Sequence, residues 1–193
     1  PKAVPGSYRA ELTVGDVTRE VDFEVVADPR SSSTPADYRA QFDFIMGTRD
    51  LLSATHIEIR KVRQLRSQLE ALTVRLEKEA ETDSRAAALL EEIAVLDETV
   101  TTIEEALYQT QNESRQDPLN YPIRLNNKLT SLMNTVDVGD ARPTEGAIAV
   151  REELSTAIQS ELQQLEAVWD EHVPALNSEI QSMGIDLVSI TEE

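Results

Sequence analysis

The stretch Ile59-Arg60-Lys61-Val62-Arg63-Gln64-Leu65-Arg66-Ser67-Gln68-Leu69-Glu70-Ala71-Leu72-Thr73-Val74-Arg75-Leu76 decides the fold class. Its Ile59, Val62, Leu65, Leu69, Leu72 and Leu76 recur at steps of three and four, the period that gathers apolar side chains on one stripe of an α-helix. A half-buried strand would need steps of two. Followed backward, the stripe runs through Leu52, Ile45, Phe42 and Tyr38 to a start signal at Thr34-Pro35-Ala36-Asp37. There a hydroxyl suits the N-cap, a proline the first helical position and an acid the first turn. One helix is predicted over roughly 35–80, with Gly47 as its weak point. At about 1.5 Å per residue it is about 70 Å long.

Forward of it, Glu81-Thr82-Asp83-Ser84 reads as a turn and a new cap. A second helix over roughly 84–114 carries Leu89, Ile93, Leu96, Val100, Ile103 and Leu107, and so short a connection favours antiparallel packing. Asp117-Pro118 ends it. Pro122 opens a third helix with Ile123, Leu125, Leu129, Leu132 and Val136, which Gly139 stops. Thr144 caps a fourth over roughly 145–182, with Ile148, Leu154, Ile158, Leu162, Leu165, Trp169, Val173, Leu176 and Ile180 in its stripe. Pro174 lies inside it and should bend it, lacking the donor to residue 170. The tail 185–190 is apolar enough to pack. The expected fold is mainly α: an elongated antiparallel helical bundle of about four helices over 31–193. Its first helix outruns its partners, leaving one end exposed or free to dimerise.

Before the helices the period changes to two. Tyr8, Ala10, Leu12 and Val14 alternate with polar residues, as do Val17, Val21, Phe23 and Val25. Gly15-Asp16 between them is a two-residue hairpin loop. It sets Val14 opposite Val17, Ala10 opposite Val21 and Tyr8 opposite Phe23, all on one face, with Arg19 opposite Leu12 as the exception. Two strands with one apolar face are marginal alone. Residues 1–30 therefore read as a β-hairpin remnant, the end of a truncated immunoglobulin-like sandwich, and Pro1-Lys2 as a start inside a longer protein.

Composition limits the chemistry. Asp and Glu number 36 against 18 Lys and Arg, a net charge of −18, which argues against binding a polyanion such as nucleic acid. There is no cysteine, so disulfides and thiolate zinc sites are excluded. No apolar run approaches a membrane span. Acid pairs such as Glu91-Glu92, Glu104-Glu105 and Glu152-Glu153 read as solvated helix surface. A di-metal bundle would need Glu three residues before its histidines. Ser53 and Trp169 stand there, before His56 and His172. Asp137-Val138-Gly139-Asp140 lacks the ligand pattern of a calcium loop. Arg60, Lys61, Arg63 and Arg66 form a basic patch expected to pair with acids on neighbouring helices, each pair stabilising by less than about 1 kcal/mol. No catalytic, cofactor-binding or metal-ligating residue is expected.

One stretch stands apart: Gln116-Asp117-Pro118-Leu119-Asn120-Tyr121-Pro122-Ile123-Arg124-Leu125-Asn126-Asn127-Lys128-Leu129. Asn on the first turns of a helix competes for backbone groups, so helix propensity does not explain these choices. Asp117, Asn120, Tyr121, Arg124, Asn126, Asn127 and Lys128 are the candidate structural or partner contacts. Pro118 and Pro122 bias the residues before them toward extended backbone. Asp117, Asn120 and Asn126 are expected to satisfy the backbone groups of 117–122, with Tyr121 packed on Leu125 as a staple.

This stretch, with Gly139-Asp140-Ala141-Arg142-Pro143-Thr144, resembles the carboxy-terminal region of secreted bacterial sortilin-like proteins. These are large BNR-repeat β-propellers of the VPS10 type, often labelled glycosyl hydrolases. The hairpin start Pro5–Val14, Ala27–Arg30 and Gln41-Phe42-Asp43-Phe44 are similar to that family's segments after the propeller. The resemblance implies that propellers, with any hydrolase or ligand-binding residues, precede residue 1, and that the protein is secreted or periplasmic. The chain is then a non-catalytic helical accessory domain for docking, spacing or oligomerisation. Its partners are the upstream propeller, a protein or a second copy, with no cofactor. The alternative is a helical part of a glycosyl hydrolase that supports an active site on the propeller.

Overall fold

The computed structural model describes residues 1–184 and Val188. The rest of the predicted apolar tail lies outside the described residues. The chain is mainly helical and begins with a two-stranded antiparallel sheet, β1 (Gly6–Val14) and β2 (Val17–Val25). Among the described residues five α-helices follow: α1 (Pro35–Ala80), α2 (Ser84–Leu107), α3 (Leu125–Val136), α4 (Glu145–Ala167) and α5 (Val173–Ser182). A π-turn over Val168–His172 joins the last two, so they form the predicted fourth helix. The described residues group into two compact units, 1–51 with 129–152, and 52–128 with those from 153 onward.

In the first unit the hairpin has the register its turn dictates, with Val14 facing Val17, Ala10 facing Val21 and Tyr8 facing Phe23. Gly15 takes φ +59°, the left-handed value that a two-residue loop needs at its first position and glycine adopts without strain. The Tyr8 and Phe23 rings stack at 5.9 Å. On the opposite face Arg9 bonds Asp22 at 2.7 Å and Glu20 at 3.1 Å. The lead-in is anchored: Val4 is buried, and Lys2 Nζ donates to the Gly139 carbonyl and to Asp140.

Thr34 and Asp37 cap α1 reciprocally. The Thr34 backbone N–H donates to Asp37 Oδ2 at 2.9 Å, and the Asp37 N–H donates to Thr34 Oγ1 at 3.3 Å, a capping-box arrangement. Gln41 is buried and its amide donates to the Val136 and Gly139 carbonyls where α3 ends. Arg151 of α4 lies over the Phe44 ring at 4.6 Å. Thr144 Oγ1 accepts from the Ala147 N–H and caps α4, as predicted.

In the second unit Asp83 caps α2 by accepting from the Arg85 N–H. The pairs Arg66–Asp97 and Arg63–Glu104 run in opposite directions along the two sequences, so α1 and α2 are antiparallel here. Leu89, Ile93, Leu96, Val100, Ile103 and Leu107 are all buried. Trp169 Nε1 donates to Glu58 Oε2 at 2.7 Å.

Several expectations need correction. The α1 stripe has no bare end, because Leu72 and Leu76 are fully buried. Between Ile45 and Ile59 that stripe passes through Thr48 and Thr55, both buried. The Thr48 hydroxyl donates to the Phe44 carbonyl one turn back, which lets a polar residue enter the core. Ile123 and Ile148, placed in stripes, are exposed. Glu104, read as solvated surface, is buried. The second helix stops at Leu107 rather than 114, because Tyr108 is extended at φ −136° and ψ 142°. Pro174 lengthens a turn: the Val173 N–H reaches back to the Val168 carbonyl. The buried residues Val168 and Val173 stand five apart, a step that an uninterrupted α-helix would carry off the core stripe. The extra residue of the π-turn brings Val173, Leu176 and Ile180 back onto it.

Candidate partner-contact site

The loop between α2 and α3 is closed by a residue that the sequence did not single out. Gln109 is buried. Its amide donates to the Pro122 carbonyl at 2.8 Å, and its side-chain oxygen accepts from the Gln111 N–H at 3.1 Å. One side chain thus ties the start of the loop to its end. Asp117 shapes the turn between them. Its Oδ2 accepts from the Glu113 and Ser114 N–H groups and its Oδ1 from the Ser114 hydroxyl, each at 2.6 Å. The Ser114 hydroxyl first, then the two backbone donors, hold the Asp117 carboxyl below its ordinary value. A short 3-10 turn, Asp117–Leu119, follows, and the Asp117 carbonyl accepts from the Asn120 and Tyr121 N–H groups at 2.8 Å each.

The seven residues named from sequence divide by direction. Asn120, Tyr121 and Lys128 are exposed. Arg124 and Asn127 are half-buried, and the Arg124 carbonyl accepts from the Lys128 N–H to begin α3. Asn126 is buried, with its amide nitrogen 3.4 Å from His56 Nε2 on α1. Burial, then the positive charges of Arg60 and Arg63, push the His56 pKa below its ordinary 6.5. In the neutral tautomer whose proton sits on Nδ1, the Nε2 lone pair can accept from the Asn126 amide. Asp117 and Asn126 therefore hold the loop, but not through the backbone of 117–122 as expected. Asp117 turns upstream to 113–114, Asn126 reaches α1, and Gln109 takes the Pro122 carbonyl.

Above these anchors the loop carries three apolar side chains outward. Leu119 is 88% exposed, and Tyr121 and Ile123 are exposed beside the two prolines. Proline and side-chain bonds limit the freedom that such a loop would lose on contact with a partner. Among the described residues, no group of three or more His, Cys, Asp or Glu is placed to hold a metal ion. Among the same residues, no helix is long and apolar enough to cross a membrane. Gln109 and His56 were the residues that sequence reasoning missed: each sits alone in its stretch, and only folding brings it to its partner. Compared with family models, with curated proteins and with solved structures, the chain matches none of them.

Proposed function

We propose that this chain is a non-catalytic helical accessory domain that follows the propeller of an exported sortilin-like protein, and that it serves in docking or spacing. The observation that carries this reading is the hairpin. Its polar face closes on itself through Arg9, Glu20 and Asp22, while Leu12, Val14, Val17 and Val21 on the other face are each more than half exposed. Alternation of this kind belongs to a sheet with one face on a core. Among the described residues nothing covers that face, which fits a sheet completed by preceding strands. The outward Leu119, Tyr121 and Ile123 supply a second contact surface.

Hydrogen exchange tests the reading. The chain is produced alone and joined to the segment that precedes it in its parent. Amides of 6–25 should exchange markedly more slowly in the longer protein. Equal exchange in both would overturn the reading. In the chain alone, Val14→Asp with Val21→Asp should leave the helical melting transition within a few degrees, because neither side chain contributes to a core.

A further inference from the structure

We propose that the groove between α2 and α5 docks an amphipathic helix whose apolar face is flanked by Lys or Arg. The groove encloses about 480 Å³ within the second unit. Leu96 and Leu176 form its buried floor, and Ala88 and Ala175 line its sides with the smallest side chains that still present a methyl. Val95 projects from α2 and is 64% exposed. Ala88, Val95 and Thr99 recur at steps of seven and four along α2, so they lie along one face of that helix. A shallow trough with an apolar floor and a helical spacing suits a helix laid along it, with anchors at i, i+3, i+4 and i+7.

Charge selects the occupant. Glu91 and Glu92 line the groove between Ala88 and Val95, and among the described residues neither is ion-paired. On α2 the acids Glu98 and Glu105 are likewise in no ion pair among the described residues, and the facing segment 168–182 carries Asp170, Glu171 and Glu179 with no Lys or Arg. Both walls are therefore negative. A Lys- or Arg-flanked helix gains attraction and steering from this field. A second copy of this chain, at −18, is repelled, and so is an anionic lipid surface. The wall at His172 is also where the π-turn breaks regular α geometry, a feature frequent at functional sites.

The test uses the full chain and a fluorescent Leu/Lys peptide with its leucines on one helical face, beside a scrambled peptide of identical composition. The ordered peptide should bind at least about tenfold tighter than the scrambled one, with affinity falling as salt rises. Val95→Asp adds negative charge but removes the apolar anchor, and it should weaken the ordered peptide by about tenfold. Val150→Asp, on an exposed α4 position, should leave binding unchanged. Glu91→Gln with Glu92→Gln should flatten the salt dependence. Equal binding of the two peptides, or unaltered binding by Val95→Asp in a protein with normal helicity, would show charge attraction alone and overturn the proposal.

Discussion

Arg63 of α1 and Glu104 of α2 form a bond of 2.6 Å, from the guanidinium Nε to Oε1, and the carboxylate is only 2% exposed. The second carboxylate oxygen takes Arg66 at 3.2 Å, and Arg66 also bonds Asp97 at 3.1 Å. The Arg63 guanidinium lies 4.8 Å over the Tyr108 ring. Sliding α2 by one turn would leave a buried carboxylate without its cations, a costly state. The cluster therefore sets the register of the antiparallel pair as well as its stability.

Glu104→Gln should destabilise the chain by about 1–2 kcal/mol. Breaking a fully buried pair costs about 3–5 kcal/mol, but Arg63 and Arg66 are half and one-third exposed and recover water. The adjacent Glu105→Gln, on an exposed residue, should change stability by less than about 0.5 kcal/mol. Urea unfolding of the two variants checks the contrast, and equal losses would contradict it.

His56 and Asn126 predict a pH dependence. The folded-state pKa of His56 lies below its unfolded value, mainly through burial. The unfolded chain therefore takes up the proton first. The contribution is fully present above pH 6.5 and is lost as pH falls through the lower folded value. His56→Gln removes the titration, so its melting temperature should gain on wild type between pH 7.5 and pH 5.5. A constant difference between the two proteins would show that His56 does not titrate in this way.

Asn126→Ala should cost about 1–3 kcal/mol, the range for removing one partner of a buried polar pair. Leu119→Ala, on the outward tip of the same loop, should be near neutral, since its side chain is almost fully exposed. Thermal melts distinguish an anchored loop from a loose one. Near-wild-type stability of both variants would mean that Asn126 does not anchor it.

Gly47→Ala should stabilise α1 by about 0.5–1 kcal/mol, because glycine in a helix interior carries an entropic cost of that size. The added methyl would meet Arg151 Nη1 at 3.7 Å, an ordinary contact, and Gly47 has no positive φ. A loss of stability would show that Arg151, stacked on Phe44, needs the space.

Stability should rise with salt. A charge of −18 makes the compact chain repel itself, and salt screens that repulsion over about 8–10 Å near physiological strength. A melting temperature that is flat or falls between low and molar sodium chloride would count against it.

The sequence by itself determined the elements and their faces. Steps of three and four announced α1 and α2, alternation and Gly15 set the hairpin register, and Thr34, Asp83 and Thr144 marked helix starts, because these signals act between residues near one another in the chain. Pro174 showed where regular helix must yield, since the missing N–H is a local fact. That the helix takes an extra residue into the turn before Pro174 was decided by the core, which needs both Val168 and Val173 buried. The early end of α2 at Leu107, the burial of Glu104, and the roles of Gln109 and His56 were likewise decided by tertiary structure. Glu104, Gln109 and His56 each depend on a partner between 13 and 70 residues away, and no local pattern specifies which distant side chain arrives to compensate a buried polar atom.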